Sequence, residues 1–143
     1  MGFLDKLVGN SKTKQVTAPL APPKKVIVVE DDKELRDFYS ELLTSEGFVV
    51  LTAENGQLGL QTITAQKPDL VLLDLMMPVM DGKMMLHKMR NIPEFAKTPV
   101  IILTNAGDAD NMRQTQYFDN ANAFLIKANV SPEEIINRVK TFI

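Results

Sequence analysis

The sequence predicts an α/β domain built on a five-stranded parallel sheet with five helices on both faces. Three observations carry that expectation. Five short apolar runs rich in β-branched residues occur at 26–29, 48–52, 70–73, 100–103 and 123–126, each bounded by polar or turn residues and too short for a buried helix. Segments of helical periodicity separate them, and strands alternating with helices assemble as a parallel sheet through right-handed crossovers. Within the runs the apolar residues are nearly continuous, as expected when helices cover both faces of a sheet.

Taken in order, the first strand is Val26–Val29. Leu35, Phe38, Tyr39, Leu42 and Leu43 then form an apolar helical stripe that ends at Gly47. After the second strand, Leu58 and Ile63 mark a second helix. After the third, Met84, Met85, Leu86 and Met89 mark another, and with Met80 they are expected to pack in the core rather than form an adaptable contact face. The segment Asp108–Phe118, with Met112, Tyr117 and Phe118, supplies a fourth helix. The last helix carries Ile135, Ile136, Val139, Phe142 and Ile143, and opens with a capping Ser131, then Pro132, Glu133 and Glu134. His87, the single histidine, sits on the third helix as a surface or half-buried residue.

Composition narrows the function. The 143 residues are 45% apolar and 24% charged, the balance of an ordinary soluble globular chain of one domain. With no cysteine there is no disulfide, thiol nucleophile or cysteine-ligated metal, and one histidine makes no metal cluster. No apolar run approaches the roughly 20 residues of a transmembrane span, and no secretory signal opens the chain, so a cytoplasmic location is expected. Residues 1–25 hold five lysines and one acid; the remaining 118 hold 11 basic and 17 acidic groups, for a net −6. Direct nucleic-acid binding is not expected of so acidic a body, because phosphate contacts need clustered Lys and Arg. Residues 10–25 are poor in large apolar side chains and contain three prolines. Residues 1–24 are therefore expected as a flexible tail and linker ahead of a domain at 25–143. Phe3, Leu4, Leu7 and Val8 would share one face of a two-turn helix there, but a helix so short is marginal in isolation, and disorder or weak self-docking is the expectation.

The chemistry gathers where the strands end. In open parallel sheets the working site lies beyond the carboxyl ends of the strands. Strand one is followed by Glu30, Asp31 and Asp32, strand three by Asp74, strand four by Thr104 and strand five by Lys127. Carboxylates brought together on one rim repel unless a cation or proton intervenes, and Mg²⁺ with oxygen ligands is the natural partner. Lys127 adds a single positive charge and Thr104 a hydroxyl donor, so the set describes a carboxylate that accepts a phosphoryl group. Singly each has a plain alternative: Asp31 or Asp32 as a helix cap, Asp74 as a turn residue, Thr104 as a strand terminus, Lys127 as a solvated lysine. Jointly those alternatives need four coincidences at corresponding positions.

Four segments carry a resemblance: Val-Ile-Val-Val-Glu-Asp-Asp at 26–32, Pro-Asp-Leu-Val-Leu-Leu-Asp-Leu-Met-Met-Pro-Val-Met-Asp-Gly at 68–82, Pro-Val-Ile-Ile-Leu-Thr at 99–104 and Ala-Phe-Leu-Ile-Lys at 123–127. In these the chain resembles the receiver domain of two-component response regulators, with its flavodoxin-like fold. The resemblance implies that Asp74 is the phosphoacceptor. It also implies that Asp31 ligates Mg²⁺ directly, Glu30 through water, and Met76 through its backbone carbonyl. Asp32 would start the helix, and Thr104 and Lys127 would bind the phosphoryl oxygens. Phe124 would be the switch aromatic that moves with Thr104, its plain alternative being a strand residue half buried against the last helix. The implied donor is a sensor histidine kinase or phosphotransfer protein, and the implied output is a downstream protein bound by the face of helix 4, strand 5 and helix 5. With no effector domain expected after Ile143, that face is expected to act by binding another protein, in a signalling rather than an enzymatic role.

Three departures from the family pattern stand out. Ala128 stands where proline commonly follows the lysine, and Asn105 stands where a small residue is usual. Met76 and Ala106 offer no carboxylate or amide to orient water, which implies slow dephosphorylation. A Mg²⁺-dependent phosphatase would need an Asp at position 76, and a dinucleotide module would need a Gly-rich loop after strand one. A pseudo-receiver that only scaffolds partners is the remaining alternative.

Overall fold

The computed structural model describes residues 21–105 and 120–143, and every structural statement below concerns those residues. Five strands, β1 (Lys25–Val29), β2 (Val49–Ala53), β3 (Leu70–Leu73), β4 (Val100–Thr104) and β5 (Ala123–Ile126), form one sheet in the order β2-β1-β3-β4-β5. All four pairings are parallel. The helices are α1 (Lys33–Ser45), α2 (Gly56–Gln66), α3 (Gly82–Arg90) and the C-terminal α4 (Pro132–Phe142), the last of the five expected from sequence. The helix expected at 108–118 and the amphipathic segment at 3–8 lie outside the described residues. A short 3₁₀ turn at Pro93–Phe95, which the apolar pattern does not signal, buries Phe95 before β4.

The continuous apolar runs are explained by a core divided in two by the sheet. Ile27, Val29, Val71, Leu73, Val100 and Ile102 face Ile63 of α2 and Met85, Leu86 and Met89 of α3. Their neighbours Val26, Val28, Leu70, Leu72, Ile101 and Leu103 face Tyr39 and Leu43 of α1 and Ile135 and Val139 of α4. Successive strand residues point to opposite faces, so a strand buried on both must be apolar throughout. The edge strands are less buried: β2 has Val49 exposed and only Ala53 buried, and Phe124 and Ile126 of β5 are half-buried.

The helix marked by Leu58 and Ile63 is present as α2, anchored by Ile63 together with the buried Gly56 and Gly59, while Leu58 is 40% exposed. One expectation is corrected here. Of the methionines, Met85 and Met89 are core residues and Met80 packs at its margin, but Met84 is 49% exposed. Met85, Leu86 and Met89 already fill the inward arc of the nine-residue α3, and Met84 is rotated off it. His87 is exposed, with Nε2 3.4 Å from Asn91 Nδ2. No described helix is long and apolar enough to cross a membrane.

Candidate functional site

The strand order reverses direction between β1 and β3, and in open parallel sheets the working crevice lies at that switch point, beyond the carboxyl ends of the strands. The last ladder bonds fix the residues that line it. Glu30 N–H donates to Ala53 O at 3.0 Å, and Asp74 N–H donates to Val29 O at 3.0 Å. Glu30 and Asp74 are therefore held side by side as strand extensions, and both are buried. Asp31, one residue on, is exposed. One carboxylate oxygen from each of Glu30, Asp31 and Asp74 lies within 4.8 Å of the others.

Lys127 enters from the neighbouring strand end. Its backbone N–H donates to Thr104 O at 2.8 Å, which carries β5 past the buried Thr104. Its Nζ stands 2.6 Å from Glu30 Oε1 and 3.4 Å from Asp74 Oδ2. The structure thus brings Glu30, Asp31, Asp74 and Lys127 together, with Thr104 on the same rim. Asp32 stands apart from this set. Its Oδ1 accepts the Leu35 N–H at 3.1 Å and caps α1, as expected for the residue that starts the helix.

Electrostatics follow from burial. Burial pushes Glu30 up to about 7; the Lys127 hydrogen bond opposes this, and the nearby Asp74 charge adds to it. Burial also raises Asp74, against the lowering effects of Glu30 and Lys127. The two carboxyl groups titrate as a pair, both pushed upward by burial. Burial pulls the Lys127 ammonium down, but the bond to Glu30 and the two carboxylate charges outweigh it, and the net shift is upward. Lys127 is locked in its charged form. Glu30 Oε1 accepts no well-angled hydrogen bond and relies on the Lys127 charge. An all-oxygen donor set, one member under-bonded and one open to solvent, fits a hard divalent cation.

Other residues shape the loop after β3. Asp74 Oδ1 accepts the Met76 N–H at 3.4 Å, while the Met76 side chain is 55% exposed. Asp81 caps α3 by accepting the Met84 N–H at 2.8 Å. Gly82 N–H donates to Leu75 O at 2.9 Å, and a Cβ at Gly82 would lie 2.0 Å from Asp74 O. Glycine is required because the helix start closes directly onto the Asp74 backbone. Sequence reasoning recorded the Asp81-Gly82 pair without that reason. It passed over Arg36 entirely, whose Nη1 donates to Glu30 O at 2.8 Å and Asp31 O at 3.2 Å. Its signal was a basic residue in the first turn of a helix, where the dipole disfavours one.

At the far side of the sheet Phe124 is half-buried. It packs against the core shared with α2 and α3, and with Glu134 and Arg138 of α4 it lines a cavity of about 220 Å³. Asn105 is exposed beside Thr104, and Ala106 lies outside the described residues.

The family model of the response regulator receiver domain matches residues 26–140. Sporulation initiation phosphotransferase F of Bacillus subtilis is 32% identical over 120 residues, covering 84% of this chain and 94% of that protein. Hybrid signal transduction histidine kinase D of Dictyostelium discoideum is 37% identical over 114 residues, but the match spans 80% of this chain and only 7% of that protein. Among solved structures, chemotaxis protein CheY4 of Vibrio cholerae superposes with a TM-score of 0.78 at 25% identity, over 85% of this chain and all of that one. Response regulator TrrA of Thermotoga maritima, solved with Mg²⁺-BeF, superposes with a TM-score of 0.73 at 26% identity, over 84% and 99% of the two chains. With a family model matched along nearly the whole described sheet, the chain belongs to the response regulator receiver domain family.

Proposed function

We propose that this chain, through a receiver domain at 25–143 behind a linker at 1–24, accepts a phosphoryl group on Asp74. The donor is a phosphohistidine on a sensor histidine kinase or phosphotransfer protein. The observation that carries the reading is the meeting of Glu30, Asp31, Asp74 and Lys127 within a few ångströms at the β1/β3 crevice.

In the transfer, an Asp74 carboxylate oxygen forms a bond to phosphorus while the phosphorus–nitrogen bond of the donor breaks. The electron pair leaves on the donor imidazole, and an acyl phosphate remains on Asp74. Such transfers have loose transition states, and catalysis is positioning and charge neutralisation. The carboxylates of Asp31 and Asp74, Glu30 through water and the backbone carbonyl of Met76 would hold Mg²⁺, which would supply part of that neutralisation. Lys127 supplies the rest by exchanging its carboxylate partners for a phosphoryl oxygen. The Thr104 hydroxyl donates to a second oxygen. Thr104 and Phe124 then shift together, changing a surface that a downstream protein reads.

Mg²⁺-dependent labelling by acetyl phosphate tests the reading. Asp74→Asn is expected to abolish it, and full-stoichiometry labelling of that variant refutes the assignment. A scaffold that never takes up phosphate gains no support from this site, where every charged group the transfer requires is present.

A further inference from the structure

We infer that Arg36 is a positioning residue for the cation site, holding the backbone that carries Glu30 and Asp31; this rests on the Mg²⁺ reading above. Glu30 and Asp31 lie between the end of β1 and the start of α1, where neither sheet nor helix supplies donors to their carbonyls. Arg36 Nη1 donates to both, at 2.8 Å to Glu30 O and 3.2 Å to Asp31 O. One guanidinium nitrogen therefore fixes two successive peptide planes, and with them the directions in which both carboxylates leave the chain.

The placement goes against local preference. Arg36 is the fourth residue of α1, and its N–H makes the first bond of that helix, to Asp32 O at 2.8 Å. A cation in the first turn opposes the helix dipole. Helical side chains lean toward the N-terminus, so a long residue at this position reaches back over the strand end. A residue that breaks the local rule yet satisfies two backbone acceptors beside the candidate ligands has a reason found at the site. Outer groups that orient ligands commonly change metal affinity 10–100-fold when removed.

Arg36 also borders a cavity of about 330 Å³ lined by Thr52, Ala53, Glu54, Leu58 and Thr62, so a shorter side chain meets no clash. Arg36→Gln keeps a good helix former and is expected to fold.

The test is calorimetric titration of Mg²⁺ alone into wild type, Arg36→Gln and Arg36→Lys, with urea unfolding in EDTA as the fold control. Arg36→Gln is expected to bind Mg²⁺ about 10-fold more weakly. Raising Mg²⁺ is expected to restore its labelling by acetyl phosphate toward the wild-type rate. Arg36→Lys, which keeps a donor but not the planar fork, is expected to lose about threefold. A purely structural arginine would lower stability and leave the Mg²⁺ affinity of folded protein unchanged, and that result overturns the inference. If Arg36→Gln does not fold, the lysine variant decides, and equality with wild type overturns it. Failure of wild type to bind Mg²⁺ overturns the functional reading itself, which keeps the two failures distinct.

Discussion

Metal-free protein is expected to lose stability as pH rises from 5 to 8, against the usual behaviour of paired carboxylates. Burial raises Glu30 from 4.5 to about 7 in the folded chain. Between those values the folded state keeps a proton that the unfolded state has released, so stability falls with rising pH. At about 1.4 kcal/mol per unit, the full penalty reached above pH 7 is on the order of 3 kcal/mol. Asp74, also raised, acts in the same direction. Lys127, shifted upward from 10.5, stays charged in both states throughout the window and contributes no slope there. The salt-bridged Asp37 is exposed and shifted downward from 3.8, so it acts below the window. Urea unfolding followed by circular dichroism, in EDTA at fixed ionic strength and pH 5, 6, 7 and 8, reads the slope directly. Glu30→Gln is expected to remove most of it, and Mg²⁺ is expected to stabilise wild type far more at pH 8 than at pH 5. Stability that is flat or rising across the window, or an equal slope in Glu30→Gln, refutes the argument.

Other predictions concern the loop after β3. Val79 is a β-branched residue at φ 70° with its side chain 77% exposed, so it carries left-handed strain with little burial to lose. Val79→Gly is expected to gain about 0.5–1 kcal/mol in urea unfolding, the strain relieved less the entropy glycine adds to the unfolded chain. A loss of stability would show that the residue is not strained. Gly82→Ala places a carbon 2.0 Å from Asp74 O. A loss of about 3 kcal/mol is expected, with weaker Mg²⁺ binding because the Asp74 backbone must move; wild-type values for both would contradict the close approach. Finally, Met76 gives no group to orient an attacking water, so the acyl phosphate on Asp74 is expected to persist. Following its decay by ³¹P resonance tests this, and a lifetime of seconds counts against it.

The sheet was legible because it is buried on both faces. Each strand within it must be apolar at every position, and such runs at 26–29, 70–73 and 100–103 stand out from their surroundings. The helix starts were legible through chemistry confined to neighbouring residues, as when Asp32 and Ser131 accept the N–H three positions on. Met84 was misjudged because a helical pattern shows which residues share a face but not how much of that face its neighbours cover. The Pro93–Phe95 turn went unseen because three residues are too few to carry a period.

By itself, then, the sequence determined which residues lie at the ends of the strands, since alternating apolar runs and short connections leave a parallel sheet few topologies. Only the tertiary structure decided what those residues do to one another. That Lys127 pairs more closely with Glu30 than with Asp74, that burial raises Glu30 and Asp74 together, and that Arg36 fastens the backbone beneath the acids all depend on separations of a few ångströms. Charge interactions and hydrogen bonds change steeply over such distances in a buried site, and no pattern along the chain encodes them.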